Sequence, residues 1–127
     1  MRRSASDERF ARTTAPYNVG VTRVDPFLDA LRPLLDEQSA HGAWIFGSHA
    51  RGTAAPESDI DVIIVAPTER PFVDRFRDYL PAILAAGAGV DMFVYTPDEF
   101  ARMQAEERPF LMTALESARQ VYVGQRG

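Results

Sequence analysis

The chain has 127 residues, 46% hydrophobic and 25% charged, a length and balance that suit one globular domain and leave no room for two. It has no cysteine, which excludes disulfides, a thiol nucleophile and cysteine-ligated zinc; two histidines are too few for a His-rich metal site, so any metal must be held by oxygen. Fourteen basic residues against eighteen acidic ones give a net charge of -4, the wrong sign for neutralising nucleic-acid phosphates, and with every basic residue an arginine, lysine chemistry is excluded as well.

Met1 to Thr14 contain only two sizeable apolar side chains, Met1 and Phe10, too little to offset the entropy of ordering. We expect a flexible arm over residues 1–22 and a single domain over 23–127. No apolar run approaches the roughly 20 residues of a membrane span, and the polar start lacks a signal-peptide core, so a cytoplasmic protein with no membrane partner is expected. Phe27, Leu28, Leu31, Leu34 and Leu35 recur at helical spacing, with Asp25 as N-cap and Pro26 at the first helical position. Ala43 to Phe46 and the β-branched run Ile60 to Val65 read as buried strands. Phe72, Val73, Phe76, Tyr79, Leu80, Ile83 and Leu84 form a second helical stripe, with a break at Pro81. Val90 to Tyr95 is a third strand. Thr96-Pro97-Asp98-Glu99 then supplies a capping box and an N1 proline for a helix to about Glu107. Pro109 restarts a last helix before a fourth strand at Gln120 to Val123. The order implies an α/β (α+β) fold, a small mixed sheet with helices packed on it.

The chemistry is concentrated in Gly47-Ser48-His49-Ala50-Arg51-Gly52 and, after a polar loop, Ser58-Asp59-Ile60-Asp61 entering an apolar strand. A Gly-Ser turn after a buried strand presents backbone N–H groups and a hydroxyl, so it can seat a phosphate. Asp59 and Asp61, two apart at a strand head, are expected on one face about 6–7 Å apart. Such a pair on an apolar sheet is costly unless a cation lies between, and with oxygen ligands only the natural cation is Mg²⁺. Asp91, near the head of the next strand, adds a third carboxylate. Three carboxylates could share two ions, an arrangement suited to in-line displacement at phosphorus. In that scheme Asp59 and Asp61 bind both ions, Asp91 binds the catalytic one and helps deprotonate an acceptor hydroxyl, and Ser48 holds the terminal phosphates.

Gly47-Ser48, the Ala50-Arg51-Gly52 continuation, Ser58-Asp59-Ile60-Asp61 and Asp91 resemble the nucleotidyltransferase domain of the DNA polymerase β superfamily, and more narrowly the minimal nucleotidyltransferase group that pairs with HEPN-domain proteins in bacterial toxin–antitoxin systems. The resemblance spans Pro26 to Val123. It implies a nucleoside triphosphate donor such as ATP, Mg²⁺ as cofactor, and transfer of a nucleoside monophosphate to a hydroxyl with release of pyrophosphate. It further implies a HEPN-type toxin as partner, modified with AMP on a tyrosine. Only 36 residues follow Asp91, too few for the helical domain with which aminoglycoside nucleotidyltransferases build an acceptor pocket, so the acceptor is expected on another chain. A binding module that masks its partner without catalysis, and a small-molecule nucleotidyltransferase, are the alternatives.

Simpler roles stand beside these. Asp59 alone suits a loop cap, whereas Asp61 among apolar neighbours has no such role. Arg51 suits phosphate binding or a structural ion pair equally. His49 reads as a surface residue, His41 as a helix-end residue and Trp44 as core. Asp98 and Glu99 are explained by capping and become alternative acids only if Asp91 points away.

Overall fold

Val24, Phe27, Leu28, Leu31 and Leu35 are all buried, a stripe at i, i+3, i+4, i+7 and i+11 that holds the first helix against the sheet. The computed structural model describes residues 19–54 and 58–124. Residues 1–18 of the expected arm lie outside that range, and the first helix, α1 (Val19–Glu37), already includes residues 19–22. The helix start expected at Asp25 is thereby corrected, and both Pro26 and Pro33 lie inside the helix. Burial of Val24, ahead of the Asp-Pro pair, favours continuing the helix despite the two missing N–H donors.

Four strands follow: β1 (Gly42–Phe46), β2 (Ile60–Val65), β3 (Val90–Tyr95) and β4 (Arg119–Val123), in spatial order β3-β2-β1-β4. β1 runs antiparallel to β2 and β4, and β2 runs parallel to β3, so the sheet is mixed as expected. One face, carrying Ala43, Ile45, Ile60, Val62, Ile64 and Val94, packs with α1 and with Ala82 of α3 (Leu80–Ala85). The other carries Trp44, Phe46, Ile63, Val65, Phe93 and Tyr95 beneath α4 (Pro97–Ala105) and α5 (Pro109–Glu116). Trp44 stacks on Phe100 of α4 at 5.3 Å between ring centroids. The capping box is present as expected, with Thr96 accepting from the Glu99 N–H while Glu99 accepts from the Thr96 N–H.

The crossover from β2 to β3 breaks where Pro81 predicts: a 3₁₀ segment, Phe72–Tyr79, hands over to α3 with Pro81 in its first turn. Its face differs from the expected one. Arg75, Tyr79, Ala82 and Ala86 are buried, while Phe72, Val73, Phe76, Leu80 and Leu84 remain exposed. The cause is Arg75, which donates to both Glu99 carboxylate oxygens at 2.7 and 3.2 Å, to the Val94 carbonyl at 3.0 Å and to the Arg70 carbonyl at 2.9 Å. A guanidinium satisfied so fully turns its own face of the segment toward the sheet and leaves the apolar stripe outside.

Hydrogen bonds from Arg75 hold the Glu99 carboxyl below its ordinary value of 4.5, with the Thr96 bonds adding to the effect. A depressed carboxylate stabilises the fold above that value and loses its contribution as pH falls through its lower folded value. Glu99→Gln is expected to cost about 2 kcal/mol at pH 7. The difference from wild type should shrink once pH drops below 4.5, as urea unfolding at pH 7, 5 and 3.5 will measure.

Candidate active site

Parallel pairing of β2 with β3 sets Asp61 directly opposite Asp91, so both carboxylates leave the sheet on the α4/α5 face. The same face carries a cluster of the Phe46, Phe93 and Phe110 rings, with centroids 5.0 to 6.1 Å apart. Burial pushes the Asp61 carboxyl above its usual range. Asp91, within hydrogen-bonding reach, and Asp59 raise it further, while the nearby His49 pulls the other way. Asp61 therefore lies within electrostatic reach of both Asp59 and Asp91. Asp59 is placed differently from expectation. It precedes β2, so strand alternation does not orient it; instead its carboxylate fills the space a Cβ would need on Gly89, at the head of β3.

Phe46, the last residue of β1, pairs with Asp61, which brings the following turn to the carboxylates. Gly47 has φ of 74°, a conformation that favours glycine, and a Cβ there would overlap the Asp61 carboxylate. Expected from the sequence as part of a phosphate seat, this glycine is also needed for the approach of Asp61. Ser48 opens the short helix α2 (Ser48–Arg51), whose first N–H groups have no acceptor within the helix. Arg51 is exposed at the other end of α2 and, among the described residues, forms no ion pair. Arg51 lines a cavity together with Phe46 and Gly47, and the structural ion pair is left without support.

His49 corrects an expectation. It is buried at 9% exposure, and its Nε2 lies 3.1 Å from the Ser58 carbonyl, linking α2 to the residue before Asp59. The ring thus positions the two halves of the motif relative to each other. Its place beside the motif was visible in the sequence; its burial depends on how β1 and β2 pair. Asp98 is exposed and Glu99 is committed to Arg75 and Thr96, so neither joins the cluster. His41 is exposed at the turn into β1.

Two adjoining carboxylates, Asp61 with its proton affinity raised by burial and further by Asp91, offer the oxygen donors a hard divalent cation takes. Among the described residues no three His, Asp or Glu side chains enclose a metal by themselves. Asp61 and Asp91 supply two oxygen-donor side chains, and Mg²⁺ binds through one or two carboxylates completed by water and substrate phosphates. On the outer side of Asp91 the edge of β3 opens to a hollow of about 430 Å³ lined by Phe76, Leu80, Ile83 and Met92.

The family model described as "Nucleotidyltransferase domain" matches residues 28–124, and the chain belongs to that family. Solved structures share the fold. One, from Sulfolobus solfataricus and assigned to the nucleotidyltransferases, has a TM-score of 0.53 at 19% identity, covering 92% of this chain and 96% of its own. A toxin–antitoxin structure with AMP-PNP gives 0.57 at 18% identity, covering 78% and 75%. A variant of the toxin–antitoxin MntA-HpeT gives 0.53 at 19%, covering 77% and 73%. No curated protein matches this chain in sequence. Among the described residues no helix is long and apolar enough to cross a membrane.

Gly47→Ala places a methyl group in a left-handed backbone conformation and against Asp61. It is expected to lower stability by about 1–3 kcal/mol, measured by urea unfolding, and to shift the amide resonances of Asp61 and Asp91 by NMR. Unchanged stability and unchanged resonances would contradict the packing described.

Proposed function

We propose that the chain is a Mg²⁺-dependent nucleotidyltransferase that moves AMP from ATP to a hydroxyl, most readily a tyrosine, on a partner toxin of the HEPN type, and that it acts as the antitoxin of that pair. The observation supporting this reading is the pairing of Asp61 with Asp91 on one face of the sheet, beside Gly47 and within electrostatic reach of Asp59. Gly47 and Ser48 seat the triphosphate, with Arg51 on the same helix as a counter-charge. Asp59, Asp61 and Asp91 would hold the metal, which would supply charge neutralisation at the displacement. Asp91, exposed and open to the β3 edge, accepts the proton of the acceptor hydroxyl. The acceptor oxygen then bonds to the α-phosphorus, the bond from that phosphorus to the bridging oxygen breaks, and pyrophosphate leaves carrying the electron pair. Likeness to toxin–antitoxin structures, one of them with AMP-PNP, supports both the nucleotide donor and the protein acceptor.

Incubation with α-labelled ATP, Mg²⁺ and the protein encoded beside it is expected to label the partner on tyrosine. Asp61→Asn should reduce labelling at least 100-fold. The same variant, relieved of one like charge, should unfold without added metal at a temperature no lower than wild type. No label on the partner, with folded protein and intact Mg²⁺ binding, rejects the acceptor. Full neutralisation of the partner by Asp59→Asn with Asp61→Asn rejects catalysis in favour of masking by contact.

A further inference from the structure

Ile60 donates its N–H to the Gly89 carbonyl and Ala66 donates to the Tyr95 carbonyl, so residues 89 and 95, and by alternation Asp91 and Phe93, turn their backbone groups toward β2. Val90, Met92 and Val94 therefore turn theirs to the other side, where β3 has no neighbouring strand. At Val94 that edge is closed by a side chain, since its carbonyl accepts from Arg75 Nη1 at 3.0 Å. Among the described residues Val90 and Met92 receive no such bond, and the hollow of about 430 Å³ opens there. The unfilled stretch is thus short and centred on Asp91. We propose that it docks an extended segment of the acceptor protein, which adds to β3 as a further strand and sets a tyrosine beside Asp91 between two apolar residues. The inference rests on the reading of the chain as a nucleotidyltransferase with a protein acceptor.

Three observations choose this occupant. Backbone N–H and C=O groups along a sheet edge are met most fully by another extended backbone. Apart from Asp91 the lining of the hollow has no ionisable side chain, so nothing there holds a charged ligand. The hollow is also continuous with the carboxylate that takes the acceptor's proton, so a segment filling it is presented to the reaction. Strand alternation then fixes the pattern of the segment. Asp91 leaves the sheet on the α4/α5 face, whereas Val90 and Met92 pack against the core on the α1/α3 face. A residue aligned with Asp91 on an added strand shares its face, with Cβ atoms about 4.5–5.5 Å apart. Its two neighbours point the other way, toward Phe76, Leu80 and Ile83. Phe76 and Leu80 are exposed, so apolar neighbours of the tyrosine cover surface that otherwise meets water.

Blocked synthetic peptides with a central Val-Tyr-Val or Ser-Tyr-Ser test this on the full chain. In NMR without nucleotide, the Val-Tyr-Val peptide is expected to shift the amide resonances of Val90 and Met92. The same peptide N-methylated at all three central residues cannot donate to β3 and should leave them in place. With Mg²⁺ and α-labelled ATP, Val-Tyr-Val should be labelled at least about tenfold faster than Ser-Tyr-Ser. Leu80→Asp, at an exposed position, should remove that preference and leave ATP affinity by calorimetry unchanged. Unshifted Val90 and Met92 amides, equal labelling of the two peptides, full labelling of the N-methylated one, or a preference that survives Leu80→Asp overturns the docking site and leaves the nucleotidyltransferase reading standing. Shifted amides with no label on any peptide reject the tyrosine acceptor instead, and leave β3 as a peptide-binding edge.

Discussion

Two carboxylates held face to face by strand register, on the sheet face that also carries a cluster of three phenylalanine rings, set the terms for everything around them. Repulsion between Asp61 and Asp91 cannot be relaxed by sliding the strands, because a shift of one residue would turn Ile60, Val62 and Ile64 out of the core. Nor can water relieve it fully, since burial is the largest influence on Asp61. The hydrophobic sheet therefore supports an arrangement that electrostatics alone would disperse.

The same constraint explains the residues nearest the acids. Among the described glycines, Gly47 and Gly89 are the two at which an added Cβ would strike a carboxylate of the cluster, Asp61 in one case and Asp59 in the other. Each aspartate is packed against backbone where a side chain would stand. His49 completes the arrangement from below by fixing the approach to Asp59 through the Ser58 carbonyl. On the far side of β3, Arg75 bonds the Val94 carbonyl and ties the crossover to α4 through Glu99, so the strand bearing Asp91 is anchored at its other end. A site that depends on the relative position of three chain segments needs such ties on each of them.

Much of this was readable in the sequence, and the limit falls where contacts stop being local. β2 and β3 have the bounds their apolar runs predict, and Thr96-Pro97-Asp98-Glu99 caps α4 as written, because strand pattern and capping are decided within a few residues. The start of α1 was misread because Asp25-Pro26 is a strong local stop signal that burial of Val24 overrides. The inward face of the crossover was misread because an arginine, not an apolar stripe, finds its partners there. The three aspartates could be picked out by type, but the register of Asp61 against Asp91 depends on a parallel pairing across the whole crossover, which no local pattern fixes.

The two openings beside the carboxylates differ in a way that bears on the direction of the reaction. The cavity at Gly47 is bounded by the C-terminal helix, carries a cation and two aromatic rings, and is built from β1, α2 and α5 of the chain itself. The hollow at Asp91 runs along a strand that has a neighbour on one side only, flanked by Phe76 and Leu80, which are 38% and 37% exposed. A ligand in the first meets a formed pocket; one in the second meets an edge with unfilled backbone bonding capacity and uncovered apolar side chains. In the proposed reaction the donor binds on the finished side and the acceptor enters on the unfinished one. A protein surface can cover such an edge, whereas a small alcohol would leave most of it in water, and this asymmetry favours a macromolecular acceptor over an antibiotic-sized one.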